Sequence, residues 1–183
     1  MNEKAIGLVE FISIARGIEA TDAMVKVADV NLLLSKTVCA GKYISLIGGD
    51  VSSIERAIDV GVEIAGETLV DQFILPNVHP SVIPSITATT SIDDLRSLGV
   101  IETFSVAASI VAADTAVKAA LVDLVEIRAA IGLGGKSFVI LNGDVADIRT
   151  AVKRGEEKAG KDGTLVYSIV IPAPRKELFD ALL

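Results

Sequence analysis

The sequence has few of the residues on which enzyme chemistry and nucleic-acid binding depend. Its 183 residues include one cysteine, Cys39, one histidine, His79, and no tryptophan, and aromatic residues make up only 4%. A single cysteine excludes an internal disulfide, and it cannot close a metal site alone. The net charge of −7 argues against the clustered basic surface that nucleic-acid binding needs. We therefore expect neither a catalytic centre nor a nucleic-acid partner.

Long apolar stretches are also missing. No run of about 18 apolar residues occurs, so we expect no transmembrane helix and no membrane partner. The first residues carry charges at Glu3, Lys4 and Glu10 instead of the continuous apolar core of a signal peptide. We expect a reducing, cytoplasmic location, where a lone cysteine stays a thiol or binds a metal.

The chain is an internal duplication. At an offset of 92, twelve positions between 7 and 32 are identical in the two halves, and at an offset of 94 the GDV of 49–51 matches that of 143–145. The segment between the halves is rich in proline, serine and threonine, as is typical of a linker. We therefore predict a first domain at 1–80, a linker at 81–96 and a second domain at 97–183.

Each half has the same predicted order of elements. In the first, strands are predicted at 5–11, 30–35, 43–47 and 68–75, with one helix at 13–28 and another that Asp50 caps. The order β-α-β-β-α-β is that of a ferredoxin-like α/β (α+β) domain, here present twice. The apolar periodicity predicts three buried helix faces: Ile14, Ile18, Thr21, Val25 and Ala28; Val106, Ile110, Ala113, Val117 and Ala120; and Ile54, Ala57, Ile58, Gly61 and Ala65.

The remaining polar motifs have structural interpretations. The acids that recur in both halves, Glu10/Glu102, Asp22/Asp114 and Asp50/Asp144, are interpreted as caps and framework ion pairs, because a single catalytic site would not be duplicated. GLGGK at 132–136 is similar to a phosphate-binding loop, but a strand follows it, so we predict a tight turn. His79, beside a proline, is interpreted as a surface or packing residue at a chain bend.

Cys39 is the residue that breaks the repeat. Most lone cysteines are inert, small buried residues. Cys39, however, lies in the predicted strand-to-strand tip SKTVCAGKY (35–43), and the corresponding segment, 129–135, contains no sulfur. If the chain closed into a ring of three, three thiolates would meet on the axis and together hold zinc or an iron–sulfur cluster.

These residues carry a resemblance to the bacterial microcompartment shell domain. The matching segments are AIGLVE, DAMVKVADV and GGDV in the first half, and GVIETFSVAASIVAADTAVKAALVDL, NGDV and IPAPR in the second. Two such domains in one chain resemble the tandem shell proteins that form trimeric, pseudo-hexagonal tiles. Within this family, the chain resembles the T-type tandem shell protein of propanediol-utilization compartments.

This resemblance implies a structural, non-enzymatic function in a cytoplasmic microcompartment shell. It implies that Cys39 lies in a central pore and that three copies bind one 4Fe–4S cluster per trimer, for electron transfer across the shell. In that family proline usually follows the cysteine, whereas Ala40 does here. Thr37, Val38, Ala40 and Gly41 would then line the pore.

The resemblance also implies partners. These are two further copies of the chain, other shell proteins and a redox protein, encapsulated or cytosolic. Lys26 and Lys118 would lie at the tile edge, where neighbouring tiles meet.

Two alternatives remain open at this point. The first is a shell tile whose pore conducts a metabolite and in which Cys39 binds no cluster. The second is a small-molecule sensor, because tandem ferredoxin-like domains often bind effectors between subunits. The absence of a polar cluster repeated at a domain interface argues against the sensor.

Overall fold

The chain forms two compact units. A computed structural model describes residues 3–87, 94–129, 132–161 and 163–182. The first unit comprises Met1–Val78 with two short segments of the second repeat, Ser105–Ala107 and Ala130–Lys136. The second unit comprises the remainder: His79–Phe104, Ala108–Ala129 and Ser137–Leu183.

Both repeats have the predicted order of elements. The first contains β1 (Ala5–Phe11), α1 (Ile14–Val27), β2 (Asn31–Val38), β3 (Lys42–Gly49), α2 (Val51–Ala65), a 3₁₀ turn (Gly66–Thr68) and β4 (Leu69–Pro76). A short helix, α3 (Val82–Ile86), follows it. The second contains β5 (Ser97–Thr103), α4 (Val106–Ala119), β6 (Val122–Arg128), β7 (Ser137–Gly143), α5 (Val145–Lys161), β8 (Leu165–Ile171) and the additional helix α6 (Lys176–Leu182).

Each sheet is antiparallel and has four strands. The strand orders are β2-β3-β1-β4 and β6-β7-β5-β8. In each repeat, the third strand therefore lies between the first and the second strand and pairs with both. The first and second strands are connected by α1 in the first repeat and by α4 in the second. This is the ferredoxin-like arrangement, so the predicted fold class is confirmed.

The second helix of each repeat is buried along the predicted stripe. In α2 the buried residues are Ile54, Ala57, Ile58, Gly61 and Ala65. A Cβ atom added at Gly61 would lie 2.6 Å from the Met24 sulfur and 3.3 Å from Cγ2 of Val9, so only glycine lets α1 and β1 approach this closely. Asp50 caps α2 as predicted, because its carboxylate accepts from the Ser53 amide at 3.0 Å.

The prediction for the first helix is wrong in one repeat and largely confirmed in the other. In α4, Val106, Ile110, Ala113 and Val117 are all buried. In α1 the buried residues are instead Gly17, Ala20, Thr21 and Met24, whereas Ile14 and Ile18 are 39% and 54% exposed. The physical reason is local: Gly17 faces the Tyr43 ring so closely that a Cβ there would overlap it, and this contact turns the small residues of α1 inward.

The predicted linker contains ordered structure. Val82 and Ile86 of α3 are buried, and the Ser85 hydroxyl donates to the Leu124 carbonyl oxygen at 3.2 Å. Residues 88–93 of the predicted linker lie outside the described residues. The boundaries 1–80, 81–96 and 97–183 stay a prediction.

Candidate functional site

Cys39 lies at the tip of the β2–β3 hairpin. Val38 pairs with Lys42 in the last register position, so the connecting loop contains only Cys39, Ala40 and Gly41. The Cys39–Ala40 peptide bond is cis. Gly41 has φ +78°, a left-handed conformation that glycine adopts without strain. A short, tight loop therefore presents the partly exposed thiol at the end of two paired strands.

The glycine-rich segment of the second repeat packs beside this thiol, within the first unit. The Gly132 amide donates a hydrogen bond to Sγ of Cys39 at 3.0 Å. A Cβ at Gly135 would lie 3.8 Å from both the Ala40 nitrogen and the Cys39 carbonyl oxygen. The Lys136 amide donates to the Leu133 carbonyl oxygen at 3.2 Å, which closes a turn and confirms the prediction for 132–136.

The residues predicted to line a pore differ in exposure. Thr37, Ala40 and Gly41 are exposed, whereas Val38 is buried at the base of the hairpin loop. The side chains that reach solvent around the thiol are therefore small. Their assignment to a pore stays a prediction.

One chain offers a single thiolate, so it could bind a metal cluster only together with other chains. Within the described ranges, no group of three or more His, Cys, Asp or Glu side chains is placed to hold a metal ion. One partly exposed sulfur per chain, at a hairpin tip and with an N–H donor beside it, matches a site to which several chains each contribute one thiolate. Cys39 is the residue that would bind such a group.

The two lysines predicted for a tile edge occupy equivalent positions but different environments. Lys26 pairs with Asp22 at 2.5 Å in the last turn of α1, where both side chains are more than 60% exposed. Lys118 pairs with Asp114 at 2.6 Å, but Asp114 is buried and also accepts the His79 amide at 2.8 Å. The interpretation of these acids as framework ion pairs is confirmed, and His79 lies at a chain bend where its Nδ1 is 2.8 Å from the Ser81 hydroxyl.

Glu10 forms a fully buried polar centre in the first unit. Its carboxylate is fully buried, and Oε1 accepts from the Lys42 ammonium at 2.8 Å. Oε2 accepts from the amides of Val106 and Ala107 at 2.9 and 3.4 Å, so Glu10 caps the N-terminus of α4. The sequence predicted a cap or framework acid here, but not the two amides that it caps, which are 96 and 97 residues away.

A capping carboxylate at α2 has a lowered pKa. The hydrogen bonds from the Ser53 amide and the Ser52 and Ser53 hydroxyls lower the pKa of Asp50 to about 2. Asp50 is therefore fully ionised at neutral pH, and its negative charge stabilises the N-terminus of α2.

Among the described residues, no helix combines the length and the apolar character required to cross a bilayer.

Comparison with known proteins gives one family. The profile of the BMC domain matches twice, at residues 5–78 and 97–174. The chain is 49% identical over 176 residues to the bacterial microcompartment shell protein PduT of Citrobacter freundii, with 96% of each chain covered. It is 30% identical to the carboxysome assembly protein CcmO of Synechococcus elongatus, covering 99% of this chain and 69% of that one.

A solved structure extends this similarity to three dimensions. A microcompartments protein from Desulfitobacterium hafniense DCB superimposes with a TM-score of 0.88 and 53% identity, over 96% of this chain and 98% of that one. Both BMC matches coincide with the two four-stranded sheets, and the similarity spans nearly the whole chain. The chain therefore belongs to the BMC-domain family and is a tandem-domain structural shell protein of a bacterial microcompartment.

Proposed function

We propose that three copies of the chain form a pseudo-hexagonal shell tile with three Cys39 thiolates around its central pore. The support is the internal duplication: six similar domains arranged around one axis need three chains of two domains each. Because Cys39 occurs only in the first repeat, such a tile contains three thiols and not six.

The three thiolates together bind one 4Fe–4S cluster, and the tile passes electrons across the shell. The observation that supports this step is the partly exposed Cys39 sulfur, which accepts the Gly132 amide. Thiolates are the usual ligands of iron–sulfur clusters, and hydrogen bonds to the sulfurs help to set their reduction potential. A redox protein, encapsulated or cytosolic, is the electron partner, and other shell proteins are the neighbours of the tile.

A metabolite-conducting tile without a cluster is the second candidate. The small side chains of Ala40 and Gly41 at the hairpin tip favour it, because they leave room around an axis. Bound iron distinguishes the two functions.

The test is purification and reconstitution under anaerobic conditions, with visible absorbance and iron content as readouts. We expect iron in the wild type and its loss in Cys39→Ser, because thiolates bind iron far better than hydroxyls do. Ala40→Ser changes the adjacent exposed residue, keeps the thiol, and serves as the matched control. Equal iron in wild type and Cys39→Ser would refute the cluster, and a wild type without iron would favour the metabolite pore.

A further inference from the structure

The same helix face is buried in one repeat and exposed in the other. Val106 and Ile110 of α4 are fully buried, whereas their equivalents Ile14 and Ile18 of α1 are 39% and 54% exposed. Ile14 and Ile18 are apolar, yet the described part of the chain leaves both of them partly exposed. An exposed apolar face of this kind indicates a binding surface.

The N-termini of the two helices differ in the same way. In α4, the amides of Val106 and Ala107 donate to Glu10. In α1, the Ser13 side chain instead accepts from the Arg16 amide. Among the described residues, no acceptor is found for the amides of Ile14 and Ala15, which are the positions equivalent to Val106 and Ala107.

The residue equivalent to Glu10 is Glu102. Glu10 pairs with Ile44 in the register of β1 with β3, and Glu102 pairs with Phe138 in the register of β5 with β7. Two residues before these strand partners, both repeats have a lysine, Lys42 and Lys136. The glutamate and a lysine at the equivalent sequence position are therefore both repeated, and so is the start of the helix that follows the glutamate strand.

We infer that Glu102 of one copy caps the N-terminus of α1 of a second copy, through the amides of Ile14 and Ala15. Glu10 makes this contact within the chain, from the first repeat to the second. In the same pattern, the second repeat of one copy makes this capping contact with the first repeat of the next copy. This is a head-to-tail contact, which forms a ring when the rotation between successive copies closes.

The occupant of the exposed α1 face is thus a second copy of this chain. A carboxylate has about four acceptor positions, so Glu102 can accept from two amides, as Glu10 does. The same contact would cover Ile14 and Ile18 with apolar surface. This inference rests on the proposed trimer and identifies the residues that join its copies.

Sedimentation velocity over a range of protein concentrations tests the inference. We expect Glu102→Ala to raise the apparent dissociation constant about tenfold or more, because each junction loses charge-assisted hydrogen bonds to two amides. Glu55→Ala removes an exposed glutamate of α2 and should leave association unchanged. Circular dichroism checks that Glu102→Ala is folded.

Chemical crosslinking provides an independent readout. Chains with Ala15→Cys and chains with Glu102→Cys, both in a Cys39→Ser background and with different tags, are mixed and treated with a short bismaleimide. A crosslink between differently tagged chains, absent when Glu55→Cys replaces Glu102→Cys, supports the junction.

The outcomes separate this inference from the proposed function. A trimeric wild type with unchanged association of Glu102→Ala and no crosslink would overturn the junction alone. A wild type that remains monomeric would refute the proposed trimer as well, and would leave the α1 face to a different shell protein.

Discussion

Removal of the buried Glu10 carboxylate tests the energetic basis of the first unit. Glu10→Ala deletes an acceptor of two amides on buried residues, Val106 and Ala107, and a partner of the Lys42 ammonium. The loss of a hydrogen bond at a buried amide costs up to about 1–3 kcal/mol. Lys42 is 17% exposed and can partly recover its hydration.

The expected loss follows from these contacts. Removal of one partner from a buried ion pair costs about 3–5 kcal/mol, which is a large part of the roughly 5–15 kcal/mol that stabilises a typical domain. We therefore expect Glu10→Ala to lower the free energy of unfolding by about 3–5 kcal/mol. Glu10→Gln keeps an acceptor for the amides and should cost less.

Urea denaturation at fixed protein concentration measures this loss, because association changes the apparent stability. Glu55→Ala, at an exposed position of α2, is the control and should change stability by no more than about 0.5 kcal/mol. Adding Lys42→Ala completes a double-mutant cycle that isolates the ion pair. A loss below about 1 kcal/mol for Glu10→Ala would refute the view that this carboxylate stabilises the start of α4.

Four further predictions have defined outcomes. Lys26→Ala combined with Lys118→Ala should leave an iron-binding trimer that no longer joins sheets or shells, as seen by electron microscopy after co-expression with other shell proteins. Lys118→Ala alone should cost more stability than Lys26→Ala, because only Lys118 pairs with a buried carboxylate. Gly61→Ala should lower the free energy of unfolding by about 1–3 kcal/mol, measured in urea, because the added methyl group overlaps the Met24 sulfur. Asp50→Asn should destabilise the protein at pH 7 and lose this effect as the pH falls toward 2: the folded-state pKa of Asp50 is lowered to about 2, so its stabilising contribution is present above the ordinary pKa near 3.8 and is lost below it.

Three of these predictions have a stated contradicting result, and two of them have a control variant. For the lysines, Lys153→Ala on the exposed surface of α5 is the control, and normal incorporation of the double variant into shells would show that Lys26 and Lys118 are ordinary surface residues. For Gly61, the control is Gly160→Ala, where an added methyl group meets no atom within 4 Å, and equal stability of the two variants would contradict the packing argument. For Asp50, a destabilisation of Asp50→Asn that persists unchanged at pH 2 would exclude the charge as its cause.

The sequence was sufficient for the fold because the local signals agree with the tertiary structure. Alternating and periodic apolar residues located eight strands and four helices, and the stripe of Ile54, Ala57, Ile58, Gly61 and Ala65 is buried as predicted. Because the sequence is duplicated, each strand and helix could be predicted a second time from the other repeat.

The α1 face shows where this reasoning fails. Apolar periodicity indicates which face must be kept from water, but not whether the same chain or another copy covers it. Ile14 and Ile18 follow the pattern as well as Val106 and Ile110 do, yet only the latter are buried within the chain. The inward face of α1 depends on Gly17 and its contact with Tyr43, which helical periodicity does not reveal.

The sequence predicted where Cys39 lies, but not which residues contact it. The sequence placed Cys39 at a strand-to-strand tip, and the structure confirms this position. The hydrogen bond from Gly132 and the cap that Glu10 provides for α4 join residues more than 90 positions apart. Such contacts leave no local pattern in a single sequence.

Native mass spectrometry of the anaerobically reconstituted protein tests the central claim most directly, because one spectrum reports both the number of chains and the bound cluster. We predict a single species of three chains, each of 19.1 kDa, with four irons and four sulfides. A monomer, or a trimer that contains no iron, would contradict the account of a tile held together by three chains with a cluster at Cys39.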